Sequence, residues 1–105
     1  MGKSKVNKRG GDLIKKGKIM ARHILVDKLS DAQAIHQQLQ SGGNFQALAR
    51  KHSTCTSRNK GGNIGTFSKS EVVKEFWDGA YALKKGEISK PIKSKFGYHI
   101  IKRMQ

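Results

Sequence analysis

Two histidines lie in stretches whose other residues are typical of buried β-strand, and they are the first candidates for chemistry. His23 precedes the aliphatic run 24–26, and His99 precedes Ile100 and Ile101. Such neighbours favour an extended, half-buried backbone. A buried polar group without a partner costs about 1–3 kcal/mol, so two imidazoles in strands that can pair are best satisfied by bonding each other. The pattern predicts a polar site inside a core.

Cys55 is the third candidate. It lies in the hydroxyl-rich loop 53–62, which leads into a short strand at 63–67. A cysteine near a histidine can act as a thiolate nucleophile, but the local signatures of catalytic cysteines are absent. Zinc-ligand spacings such as C-x-x-C are also absent, which argues against a metal site built from His23, Cys55 and His99. Covalent catalysis and metal binding are therefore the alternatives to a non-covalent role for the thiol.

Four strands and three helices are predicted to position these side chains. Ser30 with Gln33 has the spacing of a capping box, Asn44 can cap the next helix, and Ser68 with Glu71 has the spacing of a second box. The predicted strands are 21–26, 63–67, 88–94 and the stretch that contains His99, and the predicted helices are near 31–40, 45–52 and 70–83. This order indicates an α+β domain with a four-stranded, mostly antiparallel sheet and helices on both faces.

The positive charge is large and unevenly spread. The chain of 105 residues has a formal net charge of +15, and residues 1–19 carry seven Lys and Arg against the single acid Asp12. This segment has too few apolar residues to offset the entropy cost of ordering it. We therefore expect a disordered basic arm over 1–19 and one folded domain over 20–105. The arm would attract nucleic acid or ribosomes non-specifically, and a solvating tail without a partner is the equal alternative.

The single cysteine and the lack of long apolar segments indicate the setting. Cys55 has no partner for an internal disulfide, which favours a reducing, cytoplasmic environment. No run is apolar and long enough to span a membrane, and the N-terminus lacks the apolar block of a secretory signal. We expect a soluble, cytoplasmic monomer without membrane contact.

Four motifs stand in the order of a known family. They are His23-Ile24-Leu25-Val26, His52-Ser53-Thr54-Cys55, Gly61-Gly62-Asn63-Ile64-Gly65-Thr66-Phe67 and Phe96-Gly97-Tyr98-His99-Ile100-Ile101. With this combination, over about residues 21–104, the chain resembles the parvulin-type peptidyl-prolyl cis/trans isomerases. The resemblance implies an FKBP-like β-α-α-α-β-α-β-β domain that isomerises X-Pro bonds in peptides and folding proteins without a cofactor or a metal.

The resemblance also implies roles for individual residues. The implied catalytic positions are the paired His23 and His99, the thiol of Cys55, the hydroxyl of Ser94, and Asn63. The implied proline pocket consists of Ile64, Val72, Phe76 and Phe96. Asn63 stands where the family usually has Asp, which removes a charge near Cys55. Val72 stands where Met is usual, which makes that pocket wall shorter and stiffer.

Prolyl isomerisation needs no covalent chemistry. Amide resonance sets a rotation barrier of about 18–20 kcal/mol. A dry apolar pocket can hold the proline ring, and desolvation disfavours the planar, more zwitterionic amide relative to the twisted one. The thiol of Cys55 would then face the rotating carbonyl as a weakly polar group.

Two narrower expectations concern the substrates and the turnover. The segment 27–30 has one lysine, Lys28, beside Asp27, so it offers no clamp for phosphorylated Ser or Thr before proline. Because Asn63 and Val72 depart from the family pattern, a proline-peptide binding module or chaperone with low turnover is the alternative to an enzyme.

Overall fold

Seven helices and strands build residues 17–105, the part of the chain that the computed structural model describes. They are β1 (Lys18–Val26), α1 (Leu29–Gln40), α2 (Phe45–His52), β2 (Asn63–Ser68), α3 (Lys74–Tyr81), β3 (Ile92–Ser94) and β4 (Gly97–Arg103). Two short 3-10 helices, Thr56–Lys60 and Lys69–Glu71, precede β2 and α3. No helix among the described residues is long and apolar enough to cross a membrane. Most of the predicted basic arm, residues 1–16, lies outside the described residues.

The four strands form one antiparallel sheet in the order β2-β1-β4-β3. The central pair, β1 and β4, aligns Leu25 with His99 and His23 with Ile101. Both histidines therefore project from neighbouring strands towards the same side of the sheet. The predicted α+β class and four-stranded sheet are confirmed.

Strand alternation divides the core between the two faces of the sheet. On one face α1 and α2 cover Ile24, Val26 and Ile100. On the other face α3 covers Ile19, Ala21 and Ile101. The helix residues that complete the first cluster are Ala32, Ile35, Leu39, Phe45, Leu48 and Ala49, and those that complete the second are Phe76, Trp77 and Ala80. The histidines share the α3 face, so the site lies between α3 and the sheet.

The first strand starts earlier than predicted. β1 begins at Lys18 rather than at residue 21, and Ile19 is only 2% exposed. Ile19 lies opposite Phe67 of β2 and belongs to the core on the α3 face. The boundary predicted between residues 19 and 20 therefore falls inside this strand.

Two helix starts also differ from the prediction. α1 begins at Leu29, and its N-cap residue, Lys28, makes no side-chain capping bond, so the capping box predicted from Ser30 does not form. The box from Ser68 to Glu71 does form, but it caps the N-terminus of the 3-10 helix that precedes α3. Val72 follows this turn in an extended conformation, and α3 therefore begins at Lys74 instead of residue 70.

The predicted edge strand 88–94 is interrupted. Ile88 makes an isolated bridge to Lys102, and regular pairing resumes only at Ile92. Pro91 lies between these positions and has no N–H to donate to a ladder. Ser89 spans the gap, because its hydroxyl oxygen accepts the Ile101 N–H at 3.0 Å.

The loop predicted at 53–62 contains a 3-10 helix and is held against β1. The His23 N–H donates to the Gly62 carbonyl oxygen at 2.9 Å. Gly62 has φ +86°, and a Cβ at this position would lie 2.5 Å from the His23 carbonyl oxygen, so only glycine fits. On the other side of the loop, the Thr54 N–H donates to the Leu25 carbonyl oxygen at 2.8 Å. These bonds fix Cys55 beside the histidine strand.

Candidate active site

The two histidine rings contact each other directly, as predicted. Their Nδ1 atoms are 3.3 Å apart, and the rings stack at 5.5 Å with an interplanar angle of 18°. Both residues are buried, at 6% and 4% exposure for His23 and His99. One Nδ1 must carry the hydrogen and the other must accept it. The pair is therefore a single hydrogen-bonded unit in the wall of the site.

Ser94 favours one arrangement of these hydrogens. Its hydroxyl oxygen accepts the Phe96 N–H at 3.1 Å and lies 2.7 Å from His99 Nε2. If the hydroxyl donates to Nε2, then His99 donates from Nδ1 to His23. The His23 Nε2 atom is buried and has no hydrogen-bond partner among the described residues. Ser94 thus acts on the site through His99.

Both imidazoles are neutral at physiological pH. Burial, together with repulsion from His99, lowers the pKa of His23 to about 4. Burial also lowers the pKa of His99, and the nearby Glu75 carboxylate opposes this change. Protonating a buried imidazole costs hydration energy, and here nearby charges offset only part of that cost. The pair therefore presents dipoles rather than charges to the site.

Phe76 holds the histidine pair from the side of α3. Its ring packs edge-on against His23 at 5.3 Å and against His99 at 5.2 Å, and it also contacts Phe67 at 5.4 Å. Phe76 is only 3% exposed. Such edge-to-face contacts are favourable and directional, so one side chain sets the position of both imidazoles.

An open cavity of about 710 Å³ lies over this cluster. Seven of the residues predicted for the site line it: His23, Cys55, Ile64, Val72, Phe76, Phe96 and His99. Cys55 is half-buried and Phe96, at 56% exposure, forms an open rim. The volume is ample for a proline ring with its flanking residues. Within the described residues, no group of three or more His, Cys, Asp or Glu side chains is placed to hold a metal ion.

Two predicted site residues do not line the cavity. Ser94 is buried behind His99, as described above. Asn63 is exposed at the start of β2, where its Oδ1 atom accepts the Gly65 N–H at 2.8 Å. The structure therefore gives Asn63 a local turn contact and leaves it outside the lining of the cavity.

Six lining residues were absent from the sequence prediction: Leu25, Thr66, Phe67, Ser70, Glu71 and Val73. Leu25 could have been found, because alternation places it on the face of His23. Ile64 and Phe67 are three apart, and regular alternation would send them to opposite faces. Gly65, with φ +71°, and a register shift between β1 and β2 allow both to pack on the α3 face.

Residues 23–105 match the family described as the PPIC-type PPIASE domain, or rotamase. Foldase protein PrsA 1 of Bacillus cereus is 49% identical over 88 residues, which are 83% of this chain and 31% of that protein. The PrsA foldase of Bacillus subtilis is 44% identical over 91 residues. The chain thus spans about a third of the length of these curated relatives.

Solved structures agree in fold and include one of similar length. The solution structure of NmPin, the parvulin of Nitrosopumilus maritimus, is 50% identical with a TM-score of 0.76, and the match covers 86% of this chain and 98% of that one. The crystal structure of the peptidylprolyl isomerase PrsA from Bacillus anthracis is 42% identical with a TM-score of 0.82, over 83% of this chain and 41% of that one.

Proposed function

This chain belongs to the PPIC-type, or parvulin, family of peptidyl-prolyl cis/trans isomerases, and from that membership we propose that it isomerises X-Pro bonds of peptides and folding proteins without covalent catalysis. The observation that carries the proposal is the cavity that combines apolar walls with an uncharged histidine pair. An amide loses charge separation as it twists, so apolar walls beside an uncharged histidine pair favour the twisted form.

Each wall has a separate task in this mechanism. Ile64, Val72 and Phe76 hold the proline ring. The Cys55 thiol faces the carbonyl that rotates, and the His23–His99 pair keeps that wall in shape. Within the described part of the chain, the Cys55 thiol makes no hydrogen bond to an imidazole, so no base is placed to activate it as a nucleophile. A covalent intermediate is therefore not part of the proposal, and neither a metal nor a cofactor is needed.

The proposal is tested with Ala-Xaa-Pro peptides in a protease-coupled assay or by NMR exchange spectroscopy. We expect cis/trans exchange that is faster than the uncatalysed process, which takes tens to hundreds of seconds. A peptide set with several Xaa residues guards against a narrow preference. If no peptide isomerises faster with the protein than without it, the proposal is wrong.

Replacing Cys55 by Ser distinguishes a polar contact from a nucleophile. Because Ser keeps a small polar group at this position, we expect Cys55→Ser to retain about a tenth or more of the wild-type kcat/KM. Removal of an obligatory covalent nucleophile would instead abolish turnover. A Cys55→Ser protein with wild-type stability and no measurable isomerisation would contradict the non-covalent mechanism.

The proposed substrates do not require phosphorylation. In the described part of the chain, the cavity lining includes neither Lys nor Arg, and its one fully charged residue is acidic. Phosphate recognition relies on charge-assisted bonds from basic side chains. Equal or slower turnover of a phospho-Ser-Pro peptide, relative to its unmodified counterpart, is the expected result.

A binding module or chaperone with low turnover is the second candidate. It is favoured by the departures from the family pattern at Asn63 and Val72. Val72 lines the cavity with a shorter side chain than the usual Met. If the chain binds proline peptides without accelerating exchange, peptide titration will shift the NMR signals of Ile64 and Phe76 while exchange stays at the uncatalysed rate. A gain of turnover in Asn63→Asp with Val72→Met would assign the deficit to these positions.

We also propose that the N-terminal arm tethers a monomeric domain to polyanions in a reducing, cytoplasmic setting. Residues 1–16 contain six Lys and Arg, and the rest of the chain is itself net positive. Because Ile19 belongs to the core, the truncated protein should start at residue 17 rather than 20. Size-exclusion chromatography with light scattering tests the monomeric state.

Deleting residues 1–16 should weaken nucleic-acid binding and leave peptide turnover nearly unchanged. Each neutralised phosphate contributes about 0.9 to the slope of log affinity against log salt for duplex DNA, so the slope should become shallower. A full-length variant with the arm's Lys and Arg replaced by Gln is the matched control for length. Equal, weak binding by all three proteins at low salt would leave the arm without a tethering role.

A further inference from the structure

We infer that Glu71 makes the cavity select X-Pro segments that carry Lys or Arg next to the proline. The inference deepens the proposed isomerase function and rests on it. Its basis is the position of one carboxylate on an otherwise uncharged cavity wall.

The cavity has the opposite sign of charge to the chain around it. The chain carries a formal net charge of +15, but among the described residues that line the cavity Glu71 is the only one with a full charge. The other lining residues are apolar, hydroxyl-bearing or neutral imidazoles, together with the Cys55 thiol. A substrate in the cavity therefore meets a negative group at its edge.

The carboxylate of Glu71 is fixed and stays ionised. Its Oε1 atom accepts the Ser68 backbone N–H at 2.7 Å and lies 3.2 Å from the Ser68 hydroxyl. These two bonds, the backbone bond first, lower the pKa of Glu71. Both engage the same oxygen, so Oε2 remains open to a substrate cation. A positioned carboxylate pays less side-chain entropy to bind a cation than a freely rotating one.

Within residues 17–105 Glu71 makes no salt bridge, although lysines lie nearby. Lys18 is near enough to favour the ionised form of Glu71, but the salt bridge within the described residues joins Lys74 to Asp78 instead. Glu75, in the first turn of α3, acts on His99 and adds negative potential on the same side. Lys95 lies 5.4 Å from the Phe96 ring, against that aromatic rim. A basic side chain of the substrate therefore pairs with the Glu71 carboxylate.

The test compares kcat/KM for peptides that differ only at the residues beside proline. Lys, Gln or Glu is placed before the proline in one series and after it in another. Because exposed ion pairs are weak, we expect the wild type to prefer Lys over Glu by about threefold in at least one series. The preference should shrink as salt is raised, since ions screen such a pair.

Variants assign the preference to Glu71. Glu71→Gln removes the charge but retains an oxygen that can accept the Ser68 N–H, as Gln does in capping boxes. Its Lys-to-Glu ratio should fall to about one, and Glu71→Lys should invert the ratio. Asp31→Asn makes the same change in net charge on α1, across the sheet from the cavity, and should keep the wild-type ratio.

The outcomes separate the inference from the function on which it rests. Catalysis with equal kcat/KM for Lys and Glu peptides, or a preference that survives in Glu71→Gln, overturns the inference and leaves the isomerase intact. Absence of catalysis with every peptide overturns the proposed function and the inference together. A preference that follows Glu71 through both variants supports the inference.

Discussion

Truncating Phe76 to Ala should lower kcat/KM by about tenfold or more, the loss that about 1.4 kcal/mol of transition-state stabilisation represents. Phe76 forms part of the proposed proline pocket and packs on both imidazoles, so its removal widens the pocket and releases the histidine pair. Because the side chain is almost fully buried, the free energy of unfolding should also fall by about 3–5 kcal/mol. Urea denaturation and the peptide assay measure the two effects separately.

Phe45 provides a matched control for this experiment. It is also 3% exposed, but it lies in the cluster on the opposite face of the sheet. Phe45→Ala should therefore destabilise the fold by a similar amount, about 3–5 kcal/mol, while its folded fraction retains kcat/KM. Equal kcat/KM per folded molecule in the two variants would show that Phe76 acts only through stability.

As the pH is lowered, the protein should begin to lose stability at a pH well above the range in which carboxylates titrate. The pKa of His23 is about 4 in the folded state, whereas an unfolded histidine titrates near 6.5. Between these values the unfolded state binds more protons, so stability is present above about pH 6.5 and is lost as the pH falls towards about 4. For His23 alone the loss amounts to about 2 kcal/mol between pH 7 and pH 5. His99, whose pKa is also lowered, acts in the same direction.

Urea unfolding at a series of pH values measures this loss, and NMR titration of the imidazole carbons assigns it. His36→Asn is the control, because His36 lies on α1 and, within residues 17–105, its side chain bonds only the exposed Gln40. This variant should show the same fall in stability as the wild type. Equal stability of the wild type at pH 7 and pH 5 would contradict the neutral, buried histidine pair.

The histidine pair and the alternation of β4 were predictable because a strand repeats every two residues. Tyr98 and Ile100 face α1 and α2, and His99 and Ile101 face α3, as the spacing indicates. The identity of the partner also followed from physical chemistry. A buried imidazole needs a hydrogen bond, and a second imidazole on a pairing strand is the simplest one available.

The start of α3 was not predictable from the same rules. The capping box from Ser68 to Glu71 is a signal for a helix N-terminus, and it does form. Sequence alone does not tell whether the chain continues as an α-helix or leaves after one 3-10 turn. Here Val72 and Val73 adopt extended backbone. That detour brings Glu71 and both valines to the cavity, so the error in the helix start and the missed lining residues Glu71 and Val73 have one cause.

The position of Asn63 shows a further limit. Its correspondence to a catalytic position came from the order of motifs, which carries no information about side-chain direction. In the fold its amide bonds the neighbouring backbone at Gly65. Short polar side chains often make such local bonds, and the catalytic role implied for Asn63 stays a prediction.

The sheet order has a consequence for how the protein is made. Its central pair joins β1, the first strand of the described chain, to β4, the last. The two histidines are therefore 76 positions apart in sequence and adjacent in space. Contacts between distant positions require a large loop to close, which slows folding relative to helical bundles of similar size. On a ribosome, a nascent chain that lacks β4 would have neither the histidine pair nor the cavity wall, so binding of proline peptides should appear only when synthesis of the last strand is complete.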